Sequence, residues 1–129
     1  MDLDDLAARL NQSADRIEPA VRRRMRRVGT AGVARIRQNA SGRPGPNVIT
    51  GQYRASWNSE TRGIPYGAEC TIGTNAPQGR RLEFGFYGPD SLGRNYAQPP
   101  FPHVQPAIGF IEDTLHQQMR AAVGELFGD

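Results

Sequence analysis

Residues 17–36 read IEPAVRRRMRRVGTAGVARI, a segment in which apolar residues recur in steps of three or four. The repeat extends back to the N-terminus, and its positions are Leu3, Leu6, Leu10, Ala14, Ile17, Val21, Met25, Val28, Gly32 and Ile36. Such spacing is typical of a helix with one apolar face. Pro19 interrupts the repeat, and a proline inside a helix removes a hydrogen bond. The segment therefore predicts two helices, over 2–17 and 19–40, or one helix kinked at Pro19.

The middle of the chain has a different pattern. Residues 53–62 and 67–74 contain strand-like residues and are separated by the turn-forming segment GIPYG at 63–67. This arrangement predicts an antiparallel hairpin. Residues 77–84 predict a short helical turn with Leu82 and Phe84 directed inward.

Residues 85–105, GFYGPDSLGRNYAQPPFPHVQ, are rich in glycine, proline and aromatic residues. An irregular stretch of this length in a small domain is usually functional or flexible. Because its aromatic side chains need burial, we expect a loop docked on the fold or on a neighbour. The aromatic residues concerned are Phe86, Tyr87, Tyr96 and Phe101.

Pro106 begins the last regular element, since proline suits the first turn of a helix. The apolar residues that follow step by three and four: Ile108, Ile111, Leu115, Met119, Ala122 and Leu126. They predict an amphipathic C-terminal helix over 106–127, packed on the sheet. With 129 residues the chain is expected to form one α+β domain, helical over 1–40 and with its sheet and loops over 50–105.

Charge is distributed unevenly along the chain. All 16 basic residues are arginine, and the formal net charge is +3. Residues 16–43 contain nine arginines and one acid, a local balance of +8, whereas residues 1–15 carry −3 and residues 44–129 carry −2. Five of the arginines fall within the eight residues VRRRMRRV at 21–28: Arg22, Arg23, Arg24, Arg26 and Arg27. One helical region is thus strongly basic between mildly acidic ends.

This arginine cluster raises the question of nucleic-acid binding. At about 100° per residue, the five arginines occupy most of the helix circumference that Val21, Met25 and Val28 leave free. A helix that reads DNA bases also presents residues such as Asn, Gln, Ser or Thr, which are missing here. The cluster fits phosphate contact without sequence preference. It also fits a solvent-exposed helix surface, because Glu18 lies four residues before Arg22.

Residues that would support catalysis are scarce. Neither a GxxxxGK[ST] phosphate loop nor a strand–GxGxxG–helix unit occurs. Cys70 lies among strand-like residues with no histidine nearby, which favours an inert buried thiol. His103 is expected to pack or form a hydrogen bond within its loop, and Glu83 to pair with Arg80 or Arg81. We therefore expect no enzymatic activity and no cofactor.

Metal binding and export are also not expected. Glu112 and His116 lie one turn apart in the C-terminal helix, but the sequence offers no second histidine to complete a metal site there, so a surface pair is favoured. A single cysteine cannot form an internal disulfide, and no apolar run approaches the ~18 residues of a membrane span. A soluble, unexported chain is the expectation.

Four short motifs follow one another from residue 50 onward. TGQYRAS at 50–56 and GT at 73–74 are followed by LEFG at 82–85 and PPFPHVQPA at 99–107. Their order resembles the pattern TGxLxxS, GT, YAxxxEFG and PxPFxxPA of the small tail-component and head–tail joining proteins of long-tailed bacteriophages. The chain departs from that pattern by a tyrosine in place of the leucine, and at 75–79, where NAPQG replaces PYA.

The resemblance implies a structural virion protein that acts by assembly. Members form rings, commonly sixfold, at the neck between the capsid connector and the tail tube, around the channel through which DNA leaves. We therefore expect a neck or tail-completion subunit, assembled in the bacterial cytoplasm. The alternatives are a tail terminator and, in a different class, a nonspecific nucleic-acid-binding module that uses the arginines of 22–27.

The expected partners follow from this role. They are further copies of the chain, neighbouring connector and tail proteins, and packaged DNA in the channel, with no membrane and no small-molecule substrate. Aromatic residues and arginine are enriched at interface centres. We expect an interface formed by Phe86, Tyr87, Tyr96, Phe101 and Glu83, and a basic face for an acidic partner or DNA formed by Arg22, Arg23, Arg24, Arg26 and Arg27.

Overall fold

The computed structural model describes residues 2–65, 67–89 and 92–128. Its elements in chain order are α1 (Leu3–Asn39), α2 (Gln52–Ala55), β1 (Asn58–Ile64), β2 (Gly67–Gly73), α3 (Gly79–Phe84), β3 (Phe86–Pro89), β4 (Asn95–Gln98), a 3₁₀ turn (Gln105–Ala107) and α4 (Ile108–Phe127). The predicted α+β class, with N-terminal helix, small antiparallel sheet and C-terminal helix, is confirmed.

Helix α1 is continuous over 37 residues and runs through Pro19, so the two-helix alternative is wrong. The Asp2 carboxylate caps its start by accepting a hydrogen bond from the Asp5 N–H at 2.8 Å. At its end the Ala40 N–H donates to the Ile36 carbonyl at 2.9 Å. With a rise of 1.5 Å per residue, α1 is about 55 Å long. It is the longest element, and β1, β2, the 3₁₀ turn and α4 pack on it.

The predicted hairpin is confirmed as the antiparallel pair β1–β2, in which Asn58 lies opposite Gly73 and Ile64 opposite Gly67. Its first strand begins later than expected. Residues 52–55 form α2 instead, after Gly51 turns the chain with a left-handed φ of 83°.

Helix α1 lies between the hairpin and α4, and glycines bring the three elements together. A Cβ on Gly29 would lie 2.6 Å from Cys70 Sγ and 2.8 Å from Ser59 Oγ. At Gly32 a Cβ would be 2.7 Å from Ile72 Cδ1 and 3.2 Å from an Ile111 side-chain carbon of α4. Helix α4 packs mainly along α1, and at Gly32 side chains of α4 and of β2 both meet this helix.

The core is centred on the second half of α1. Buried Val33, Ile36, Trp57 and Ala107 form its centre, and partly buried Tyr53, Ile72, Val104 and Ile111 pack around them. Of the three apolar residues in the arginine-rich segment, Val28 is buried and Val21 and Met25 are half-buried.

Two expectations for residues 77–105 are corrected. The long loop contains a second two-stranded sheet, in which β3 pairs antiparallel with β4 and Phe86 lies opposite Gln98. In α3, Leu82 is half-buried, but Phe84 is 73% exposed and Glu83 is buried in its place. A helix of six residues is too short for its periodicity to identify the inner face.

Gly29 provides a test of the α1–hairpin contact. Alanine normally stabilises a helix interior relative to glycine, but at Gly29 the added methyl meets Cys70 and Ser59. We expect Gly29→Ala to lower the free energy of unfolding by about 1–3 kcal/mol. Gly124→Ala in α4, where nothing lies within 4 Å, is the matched control and should raise it by about 0.5–1 kcal/mol. Chemical denaturation measures the free energy of unfolding of both variants. A change in the same direction for the two would contradict this packing.

Candidate interaction surface

The Glu83 carboxylate binds the backbone where the last helical segment begins. Its Oε2 accepts hydrogen bonds from the N–H groups of His103 at 2.8 Å and Val104 at 3.0 Å, and its Oε1 accepts one from Gln105 at 2.9 Å. These N–H groups lie at the start of the 3₁₀ turn that leads into α4 and have no partner within a helix. Glu83 thus caps this segment. Its carboxylate binds these N–H groups and not Arg80 or Arg81, so the ion pair predicted from the sequence is wrong, and Glu83, which the sequence also predicts at an interface, is buried within the chain.

The surroundings of Glu83 act on its pKa in opposite directions. Burial disfavours the charged carboxylate and raises the pKa. The three N–H donors, together with nearby His103, favour the charged form and outweigh burial, so that the pKa of Glu83 lies below its ordinary value of 4.5. The carboxylate is therefore ionised throughout the neutral range.

His103 is fully buried beside Glu83 and connects it to two aromatic residues. Its Nε2 lies 2.6 Å from the Tyr53 hydroxyl, while its Nδ1 lies 2.9 Å from the Phe101 carbonyl and 3.0 Å from Glu83 Oε2. Two acceptors around Nδ1 place a ring proton there. The rings of Tyr53, Trp57 and His103 meet edge to face, with centroids 5.5–6.3 Å apart. The expectation that His103 packs within the fold is confirmed.

The four sequence motifs meet in one contact network. Tyr53 of TGQYRAS binds His103 of PPFPHVQPA, whose backbone binds Glu83 of LEFG. Ser56 of the first motif lies 2.5 Å, hydroxyl to hydroxyl, from Thr74 of the GT element. Residues up to 50 positions apart are thus joined by polar contacts around the buried histidine.

Two of the predicted interface aromatics are covered by arginines. The Arg81 guanidinium lies 4.0 Å from the centre of the Phe86 ring, and that of Arg43 lies 3.7 Å from the centre of the Phe101 ring. Both rings are half-buried. The fifth residue of the set, Tyr96, belongs to β4, and its side chain lies outside the described part of the structure.

Other large apolar side chains point outward. Tyr87 is 70% exposed, as an interface residue requires, and Phe84, three positions earlier, is 73% exposed. Ile49, in the loop before α2, is 92% exposed. Sequence reasoning missed Phe84 and Ile49, because a single apolar residue in a loop or a very short helix carries no periodic signal.

Ile49 borders a half-open cleft of about 750 Å³ between residues 40–54 and α3. Arginines and apolar residues line it together, among them Arg43, Arg54, Arg81, Val48, Leu82 and Phe101. A cleft of this composition suits a segment that is both acidic and apolar.

The five arginines of the cluster fall into two groups, three with an ion-pair partner and two without one among the described residues. Arg23 and Arg24 bind the Glu125 carboxylate near the end of α4, at 3.3 Å for Arg24, and Arg22 pairs with Glu18 at 3.4 Å. Among the described residues, the guanidinium groups of Arg26 and Arg27 have no hydrogen-bond or ion-pair partner, and both residues are exposed. Only part of the predicted basic face is thus available to a partner.

The remaining candidates are individual residues. Glu112 and His116 are both exposed on α4, and no group of three or more potential metal ligands occurs among residues 2–65, 67–89 and 92–128. Cys70 is a free, half-buried thiol against Gly29. Within the same described ranges, none of the helices combines the length and apolar character that crossing a bilayer requires.

No protein-family model, curated protein or solved structure matches this chain.

The Glu83 cap has a pH signature. Glu83→Gln places an NH₂ group among backbone donors, and we expect it to lower the free energy of unfolding by about 2–3 kcal/mol at neutral pH. Because the folded-state pKa is lowered, the stability that Glu83 contributes is complete above the unfolded pKa near 4.5 and is lost as pH falls through the folded value.

Denaturation from pH 7 to pH 3 measures both effects. The wild type should lose more stability on acidification than Glu83→Gln. The Glu69 carboxylate pairs with Arg62 at the surface, so the Glu69→Gln variant should keep the wild-type profile. Parallel profiles for wild type and Glu83→Gln would contradict the cap.

Proposed function

We propose that this chain is a structural subunit of a long-tailed bacteriophage, a ring-forming neck or tail-completion protein that acts by assembly and not by catalysis. The observation that carries the proposal is the outward position of large apolar side chains in separate parts of the fold. They are Leu3 and Leu10 on α1, Ile49 in the loop before α2, and Phe84 and Tyr87 around β3. Exposed apolar patches mark interaction surfaces in many proteins.

The separation of these residues favours a ring over a simple dimer. A two-fold dimer uses one patch on both copies, whereas a ring joins two different patches in a head-to-tail contact. Exposed apolar residues on α1 and around β3 provide separate surfaces for different neighbours.

The motif network supports the resemblance to neck proteins. TGQYRAS, GT, LEFG and PPFPHVQPA resemble the family's motifs individually, and in the fold they contact one another around His103. Motifs that together build one structural unit are more informative than four separate matches. The neck position and a sixfold ring come from this resemblance.

Phe84 and Tyr87 test the proposal. Replacing both with serine removes exposed apolar surface only, so the melting temperature of the purified chain should stay within a few degrees of the wild type. In a phage whose gene for this protein carries the double substitution, heads and tails should accumulate unjoined. Ile64→Ser, at the tip of the first hairpin, is the matched control. Normal infectious particles from the double variant would contradict the proposal.

Localisation in the particle distinguishes a tail-completion subunit from a tail terminator. Cryo-electron microscopy of the phage would place a tail-completion subunit next to the connector and a tail terminator at the end of the tail tube. Gene order gives an independent measurement, since neck genes are expected between connector and tail-tube genes.

Exposed Arg26 and Arg27 favour a second candidate, nonspecific contact with DNA. Two free guanidinium groups would neutralise about two phosphates, so the logarithm of the affinity for duplex DNA should fall with the logarithm of salt with a slope near −2. Arg26→Gln with Arg27→Gln should abolish binding, whereas Arg120→Gln on α4 should not. Absence of binding by the wild type at low salt would remove this candidate.

A further inference from the structure

The first three turns of α1 extend beyond the elements that pack on this helix. Close to the C-terminal end of α4, the Glu125 carboxylate binds Arg23 and Arg24. The Glu125 carbonyl accepts a hydrogen bond from the Arg16 guanidinium at 3.2 Å. Every residue from 2 to 12 is exposed. These eleven residues, here called the arm, form about 16 Å of projecting helix.

The arm has an apolar stripe without a covering element. Leu3, Leu6 and Leu10 are 82%, 44% and 59% exposed. They continue the same three-and-four spacing that leads to buried Val28 and Ile36 farther along the helix. Burial of a leucine side chain is favourable by about 1.5–3 kcal/mol, so this stripe is suited to a partner.

A second surface of α1 has the complementary composition. Arg23, Arg26, Arg27, Thr30, Ala31 and Ala34 line a shallow depression of about 480 Å³, which we call the acceptor face. Its positions form two neighbouring rows with steps of three or four, 23–27–31–34 and 26–30–34, on one side of the helix. The small alanine side chains allow another helix to approach closely.

We propose that the arm of one copy docks on the acceptor face of the next copy, with the leucines against Ala31 and Ala34. The partner is a second copy because the charges of the two surfaces match. The arm carries Asp2, Asp4 and Asp5 against Arg9, a balance of −2. On the acceptor face Arg23 is paired with Glu125, which leaves the two positive charges of Arg26 and Arg27.

The position of the two surfaces on one helix makes the contact heterologous. At 100° per residue, the leucine stripe and the acceptor face point about 120° apart around α1. Two antiparallel copies of a straight helix cannot satisfy both surfaces in each other. Each arm therefore leads to a further copy, which produces a ring when the rotation closes. This inference depends on the proposed ring and specifies one of its contacts.

Disulfide trapping tests the contact in the full-length chain. With Cys70→Ser as background, Leu6→Cys and Ala31→Cys are made as separate variants, one carrying a size tag, then mixed and mildly oxidised. A disulfide requires Cα atoms within about 7 Å. Mixed disulfide dimers should exceed either homodimer several-fold. Leu6→Cys mixed with Glu112→Cys, on the exposed side of α4, is the control. Equal yields from the two mixtures would overturn the arm contact.

Charge reversal tests the stated complementarity. Asp4→Arg with Asp5→Arg in the Leu6→Cys chain, or Arg26→Asp with Arg27→Asp in the Ala31→Cys chain, should each reduce the mixed product about tenfold. Mixing the two charge-reversed chains should restore it. A yield that either reversal leaves unchanged, or that their combination does not restore, would overturn the proposal.

The two proposals fail in different ways. Rings seen in phage particles without the 6–31 cross-link would overturn the arm contact and leave the neck role in place. A specific 6–31 cross-link, with normal particles from the Phe84 and Tyr87 double variant, would retain the arm contact and overturn the neck role.

Discussion

The buried carboxylate of Glu83 is the interaction on which the rest of the fold depends. An ionised side chain away from water is costly unless donors surround it, and three consecutive N–H groups at 2.8–3.0 Å supply them here. The Phe101 N–H reinforces this contact by donating to the Leu82 carbonyl at 2.6 Å. As a result, α3 determines where the proline-rich segment lies and where α4 begins.

His103 extends this constraint to the remainder of the core. Its ring contacts Tyr53 and Trp57, and its carbonyl accepts a hydrogen bond from Asn39 at the end of α1 at 3.1 Å. Arg37, two residues earlier, donates to the Trp57 carbonyl at 2.6 Å. Because these polar contacts converge around buried His103 and Trp57, the four motifs form parts of one scaffold. The surfaces left for partners are therefore the exposed apolar residues and the unpaired arginines on its outside.

The arginine-rich segment shows how a charge pattern divides in three dimensions. As a sequence, 22–27 is a single basic block. In the fold, α4 runs antiparallel to α1 and brings Glu125 to Arg23 and Arg24. Glu18 forms an ion pair with Arg22. Part of the basic charge thus stabilises helix packing, and Arg26 and Arg27 remain for a partner. The proposed assembly uses this remainder together with the acidic arm.

The sequence alone determined α1, the first hairpin and α4, because helix periodicity and turn chemistry are local and act over a few residues. It also indicated His103 as a packing or hydrogen-bonding residue. Only the tertiary structure decided that Glu83 is buried and Phe84 exposed, since the partners of Glu83 are backbone N–H groups about 20 residues away. Every residue type except proline carries such a group, so a sequence pattern cannot identify them. The same reason applies to α1: its spacing predicted an apolar stripe, but only the positions of α4 and the hairpin left Leu3, Leu6 and Leu10 uncovered.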